Sequence, residues 1–183
     1  MILIVEGMDR WGKSTLVESL RKNYFLSPKI LVHHSSSPPL VYDRNGWERE
    51  HYRHLITSMN FLSREGYNII FDRFHLGAIV YGTKYRGADP TEIYNIDSHY
   101  MANVPDIALV LLTDYPESII ARNDGESLET SKSDLDETHD AFVEAYMNSH
   151  IMNKLHINVT DNRGFSNTYE TVTKFLNRVR NVK

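Results

Sequence analysis

Cysteine is absent from this chain of 183 residues, so neither a disulfide nor a thiolate-held metal can brace the fold. The same absence leaves the redox compartment unread. No apolar run approaches the roughly 20 residues that a membrane-spanning helix requires, and no basic leader precedes the first apolar stretch. The expectation is a soluble, cytoplasmic protein with no membrane partner, in which a cleaved leader would take the first strand with it. A surplus of positive charge is lacking as well. Lys and Arg number 20 against 24 Asp and Glu, a formal charge of −4, which argues against nucleic acid as a partner and leaves only a local groove open for it. His33 and His34 are adjacent, and neighbours on a strand point to opposite faces, so they do not chelate one ion there. No internal repeat is present, and low-complexity sequence is confined to the turn Ser35-Ser36-Ser37-Pro38-Pro39. With 41% apolar residues, the length fits one domain over residues 1–183.

What is there is concentrated near the start. Gly7-Met8-Asp9-Arg10-Trp11-Gly12-Lys13-Ser14-Thr15 follows the apolar run Ile2-Leu3-Ile4-Val5 and precedes Leu16, Val17, Leu20 and Tyr24 at helical spacing. Two glycines with four residues between them, then Lys-Ser, between a strand and a helix, form a phosphate-binding loop. Its backbone N–H groups cradle phosphates, its lysine reaches the terminal ones, and its hydroxyl meets magnesium. Downstream, Tyr67-Asn68-Ile69-Ile70-Phe71 reads as a strand ending in Asp72-Arg73, and an acid at that place holds the magnesium ion directly or through water.

The remaining chain alternates. Further strands are predicted at 29–33, read as buried, at 106–112 and at 155–159. Helical spacing predicts helices over 47–64, over a short segment from 76 to 81 before a loop, from Pro90 onward, from Pro116 to about 122, over 142–149, and along the C-terminal stretch carrying Tyr169, Val172, Phe175, Leu176 and Val179. Alternating strands and helices give an α/β three-layer sandwich, with a parallel sheet of about five strands and the topology of phosphate-loop NTPases. Residues 123–140 carry seven acids and one base, Lys132, with little apolar content. They are expected to form a lid over the site or a solvated loop.

Three classes of phosphate-loop protein compete: a small-molecule phosphotransferase, a GTPase switch and an ATPase motor. A guanine-reading Asn-Lys-x-Asp is missing, because Asn153-Lys154 runs into Leu155-His156. The length is short for a motor with its coupling parts, which favours a compact kinase.

The stretch from Val5 to Thr15 resembles the thymidylate kinases, in which a Glu-Gly-x-Asp prefix precedes the Gly-Lys-Ser/Thr. Phe71-Asp72-Arg73-Phe74 is similar to that family's Asp-Arg-Tyr element, and Val80-Tyr81-Gly82 falls where the family places an aromatic. The resemblance implies a nucleoside monophosphate kinase that transfers the ATP γ-phosphoryl group to a deoxynucleoside monophosphate, with a pyrimidine base and Mg2+ as cofactor. It implies ATP contacts from Gly7, Asp9, Arg10, Trp11, Gly12, Lys13, Ser14, Thr15 and Arg122, and a metal held by Ser14 and Asp72. Because 123–140 contains no arginine, Arg10 is the expected catalytic cation beside Lys13, with Arg122 in reserve; the alternative for Arg10 is a surface charge.

By motif match, Asp9 faces the acceptor sugar, Arg73 binds its phosphate, and Tyr81 crowds the 2′ position. The alternatives are an ion pair of Arg73 with Asp72 or a lid acid, and a core role for Tyr81. Trp47, Arg49, Tyr52 and Arg53 supply the residue types that stack on and read a base, with their assignment left open. Two departures from the family, His33-His34-Ser35-Ser36-Ser37 in place of an arginine-bearing turn and Gly77 in place of a hydroxyl residue, suggest a modified pyrimidine. The competing readings are a kinase with a hydroxyl acceptor, on a deoxynucleoside or within DNA, using Asp72 as base and Arg44, Arg49, Arg53, Lys84 and Arg86 as a groove, and a nucleotide-gated binding module. The resemblance also implies a homodimer, for which the helix over 47–64 offers an interface, with a core role for that helix as the alternative.

Overall fold

The computed structural model describes residues 1–35, 44–121 and 131–181. Its centre is β1 (Ile2–Glu6), every residue of which is buried. A strand reads as continuously apolar only when both of its faces and both of its edges are covered. Here β3 (Asn68–Asp72) and β4 (Ile107–Thr113) pair with β1 in parallel, one on each side. The sheet is completed by β2 (Ile30–His34) and β5 (Lys154–Asn158), in the order β2-β3-β1-β4-β5 with every pairing parallel.

Helices connect the strands and cover the sheet. α1 (Lys13–Asn23) contacts α7 (Phe165–Arg180). A second contacting group is formed by α2 (Arg44–Arg64), α3 (His75–Arg86), α4 (Thr91–Ile96), the π-helical turn Asp97–Met101, α5 (Pro116–Ile120) and α6 (Lys132–Asn148). The expected three-layer α/β sandwich with a five-stranded parallel sheet is the one observed.

The structure differs from the sequence expectation in three places. β2 is only partly buried, because it is an edge strand with one neighbour; Leu31 is 38% exposed. The helix expected to stop near residue 81 runs on to Arg86, since Gly77 and Gly82 lie on its buried side and only Gly87, at φ +60°, takes the left-handed cap that ends it. The acidic stretch is in part a helix. Residues 122–130, and with them Arg122 and the first half of the expected lid, lie outside the described residues, whereas 132–140 form the first half of α6.

The start signal for α6 was present in the sequence. Ser131 accepts a hydrogen bond from the Asp134 N–H at 3.1 Å, and its hydroxyl donates to the Asp134 carboxylate at 2.7 Å. Leu135, Thr138 and Phe142 then turn inward, and the acids face out. Ser131→Ala, which removes this cap, is expected to lower the unfolding free energy by about 1 kcal/mol in chemical denaturation.

Candidate functional site

Ligands of open parallel sheets gather at the carboxyl ends of the strands, where the strand order changes direction. That place is the end of β1. The chain leaves β1 through Gly7 at φ +136°, where an added Cβ would lie 2.4 Å from the Leu112 carbonyl oxygen and 2.6 Å from the Trp11 ring. No other residue fits. Arg10 at φ +63° and Gly12 at φ +80° complete the turn, which delivers the chain to α1 with its first amides opening on a cleft.

The cleft, about 320 Å3, is lined by Asp9, Arg10, Lys13, Ser14, Asp72 and Arg73 together with Gly12, Thr15, His34 and Ser35. Lys13 is 5% exposed, and its ammonium donates to the Met8 carbonyl across the loop. The register of β1 against β3 sets Asp72 beside Val5, which brings its carboxylate within reach of the first turn of α1. Ser14 Oγ donates to Asp72 Oδ2 at 2.8 Å, and His34 Nδ1, from the register partner of Asp72 on β2, lies 3.1 Å from the same oxygen. A hydroxyl and a carboxylate side by side are the hard oxygen donors that a magnesium ion takes when most of its shell is water and phosphate. No cluster of three or more His, Asp or Glu that would form an all-protein metal cage occurs among the described residues.

Arg73 sits at φ +66° between β3 and α3, and its guanidinium pairs with Asp9 and stands 5.8 Å from the centre of the Tyr81 ring. Asp9, Arg73 and Tyr81, predicted separately, are therefore one cluster. The ion partner of Arg73 is the loop acid Asp9, not Asp72. Tyr81 also packs edge-on against Phe142, at 5.6 Å, and so joins α3 to α6.

Trp11 departs from a simple phosphate-cradle role. Its side chain is buried, with its ring edge-on to His139 at 5.9 Å and Phe142 at 6.1 Å. It wedges the phosphate loop against α6. Trp11 and Arg10 also border a second cavity of about 670 Å3, whose far side is made by Leu112, Val159, Thr160, Phe165 and Thr168. Of these, Val159, Thr160, Phe165 and Thr168, at the β5–α7 corner, were not among the expected site residues. The available signal was positional, since the end of β5 lies next but one to the end of β1 in the sheet.

On α2, Trp47 stacks on His51 at 4.5 Å, and Tyr52 is buried edge-on to Phe74 at 5.0 Å. Burial, reinforced by the charges of Glu6 and Glu48, pushes the Tyr52 hydroxyl pKa well above its ordinary value, so it stays protonated. Arg49 and Arg53 both engage Glu50, and neither lines the phosphate cleft. His33 packs on Phe71, and burial lowers the pKa values of His33 and His51, with a smaller push on His33 from His34 and on His51 from His33. Arg86 reaches back from α3 to the buried Glu48 of α2 at 3.1 Å.

Comparison with solved structures decides what scaffold carries this site. The YorR protein of Bacillus subtilis, solved in complex with phosphorylated GDP, superposes with a TM-score of 0.73 at 20% identity, covering 100% of this chain and 99% of that one. The fold is that of the nucleoside monophosphate kinases. A thymidylate kinase from Ehrlichia chaffeensis matches at a TM-score of 0.53 and 17% identity, over 87% of each chain. A deoxyadenosine kinase from M. mycoides with bound dCTP matches at 0.56 and 16%, over 97% of this chain and 100% of that one. No family model and no curated protein sequence matches the chain.

The buried Trp11 ring fills the space between the phosphate loop and α6, and its loss leaves a cavity there. Trp11→Ala is expected to cost about 3–5 kcal/mol of stability, read from the shift in denaturation midpoint.

Proposed function

We propose that the chain is a nucleotide kinase that transfers the γ-phosphoryl group of ATP to a deoxynucleoside monophosphate bearing a pyrimidine, plain or modified. The observation that carries this reading is the position of Arg10, which lines both the phosphate cleft and the larger cavity beside it. In this reading the larger cavity takes the donor base, with Phe165 and Val159 against its faces, and the Asp9–Arg73–Tyr81 cluster marks the acceptor side. The structural likeness to a thymidylate kinase and a deoxyadenosine kinase supports it.

Phosphoryl transfer asks the protein for position and for positive charge rather than covalent chemistry. Lys13 and the amides at the start of α1 hold the β and γ phosphates. Arg10 meets the charge that spreads between donor and acceptor, and the planar fork of Arg73 takes two oxygens of the acceptor phosphate, exchanging Asp9 for them. Ser14 and Asp72 would hold magnesium, which when bound neutralises phosphate charge. Asp9, freed from Arg73, faces the acceptor sugar, and Tyr81 closes the space beside its 2′ carbon.

A second reading has one observation in its favour. His34 against Asp72 sets an imidazole beside a carboxylate inside the phosphate cleft, and a proton acceptor is what a hydroxyl acceptor requires and a phosphate acceptor does not. ATP turnover against a panel of nucleoside monophosphates, nucleosides and DNA separates the two. Stimulation by a deoxypyrimidine monophosphate alone supports the first reading; stimulation by nucleosides or DNA alone withdraws the role given to Arg73.

With the preferred acceptor, Lys13→Ala is expected to lower turnover by at least about 10²-fold while the circular dichroism spectrum is unchanged. For Arg10→Ala, a fall in kcat of about 10³-fold with little change in ATP affinity is expected, and equal losses in both would reassign Arg10 to ground-state binding.

A further inference from the structure

Glu6 is a fully buried carboxylate at the end of β1, and phosphoryl transfer as described above leaves it without a task. Its partners are all backbone. Glu6 Oε1 accepts the N–H groups of Phe74 at 2.8 Å and Leu76 at 2.9 Å, and Oε2 accepts that of Gly77 at 3.3 Å. These are the orphan donors at the N-terminus of α3, whose own preceding residue, Phe74, supplies no side-chain cap. A carboxylate from another strand does the work that Ser131 does locally for α6.

The borrowed cap acts on Arg73. A left-handed backbone at a non-glycine residue persists only where the surroundings over-determine it. At Arg73 the N–H is given to the Val5 carbonyl at 2.9 Å, the C=O receives the Ser35 hydroxyl at 2.8 Å, and the next N–H is the one held by Glu6. Burial raises the Glu6 pKa, whereas the charge of His75 and the three backbone N–H groups lower it in part. His75 is in turn flanked by Asp97, 3.4 Å away from its Nε2, and Asp97 accepts the His150 N–H at 3.1 Å; both side chains are buried. A run of buried polar groups thus ties β1, α3, the π-helical turn and the approach to β5 together behind Arg73.

Glu6 also immediately precedes Gly7, where the phosphate loop begins. Its backbone launches the loop that receives the donor, and its side chain fixes the turn that presents Arg73 to the acceptor. We propose that Glu6 is the positioning residue that sets the separation between the donor and acceptor phosphate sites; the inference rests on the kinase reading given above. A displacement of about 1 Å between reacting groups is worth about 10²-fold in rate, so a shared anchor has kinetic value beyond stability.

The test is a double-mutant cycle of Glu6→Gln with Arg73→Ala, read as KM for the preferred monophosphate, kcat and ADP affinity by calorimetry. Glu6→Gln keeps the size of the side chain and removes one of its two acceptor oxygens. The expected result is a fall in kcat of about 10²-fold and a rise in acceptor KM of about tenfold, with ADP affinity unchanged within about twofold and no further effect of Glu6→Gln once Arg73 is alanine. Multiplying effects, or a parallel loss of ADP affinity, would overturn the proposal. Ser131→Ala serves as the control, a lost helix cap that lowers the melting temperature and leaves KM alone. Should Glu6→Gln not fold, amide hydrogen exchange of the native protein decides. Phe74, Leu76 and Gly77 are expected among the most slowly exchanging amides, and fast exchange there refutes the anchor. Failure of the native protein to turn over any monophosphate would fault the kinase reading instead, while the exchange data still judge Glu6.

Discussion

The two-sided pairing of β1 is the constraint on which the rest depends. A central parallel strand has no spare edge, so its neighbours must stand in fixed register, and that register decides which side chains meet at its carboxyl end. Val5 beside Asp72 brings the Asp72 carboxylate under α1, and Glu6 beside Leu111 turns the last carboxylate of the strand toward α3. The same pairing packs the Leu112 carbonyl against Gly7, so the sheet itself forbids a side chain where the phosphate loop starts. The phosphate cleft is therefore a consequence of strand registration before it is a property of any loop residue.

The fold and the turn after β1 were legible in the sequence for different reasons. The strands could be read because both faces of β1 and β4 are covered, which leaves uninterrupted apolar runs, and the loop could be read because glycine spacing and Lys-Ser are tied to backbone geometry. The pair of Asp9 with Arg73 could not be read, since the two residues lie 64 positions apart in the sequence and only the β1–β3 register unites them. Trp11 was legible as a loop residue and illegible as a wedge, because its partners His139 and Phe142 belong to a helix whose first half is written in acids. Asp134, Asp136, Glu137 and Asp140, expected in a lid or solvated loop, are the wet side of α6. Gly77 misled in a similar way. An added Cβ there would lie 3.5 Å from Glu6 Oε2, so the position faces a buried carboxylate rather than open space.

The residues expected to bind an acceptor were the least legible. They are spread over α2, the edge strand β2 and α3, and the residue types that bind bases also build cores. Trp47 lies against His51 rather than alone, Arg53 against Glu50, and Tyr52 inside. Composition supplied the inventory but not the facing directions, which follow from how α2 crosses toward β3 and the π-helical turn.

The internal bonds of the cleft have one more consequence. The ammonium of Lys13 rests on the Met8 carbonyl, and the guanidinium of Arg73 rests on Asp9, so each cation already has a surrogate partner from its own chain. An anion entering the cleft trades places with those surrogates instead of meeting bare charge. Occupancy there is an exchange equilibrium, and the net affinity is a difference between two similar sets of bonds. Under the kinase reading proposed above, such a site favours a ligand that engages several oxygens at once, as the fork of Arg73 does with two oxygens of one phosphate. That is a kind of selection by valence, written into the resting bonds of the loop.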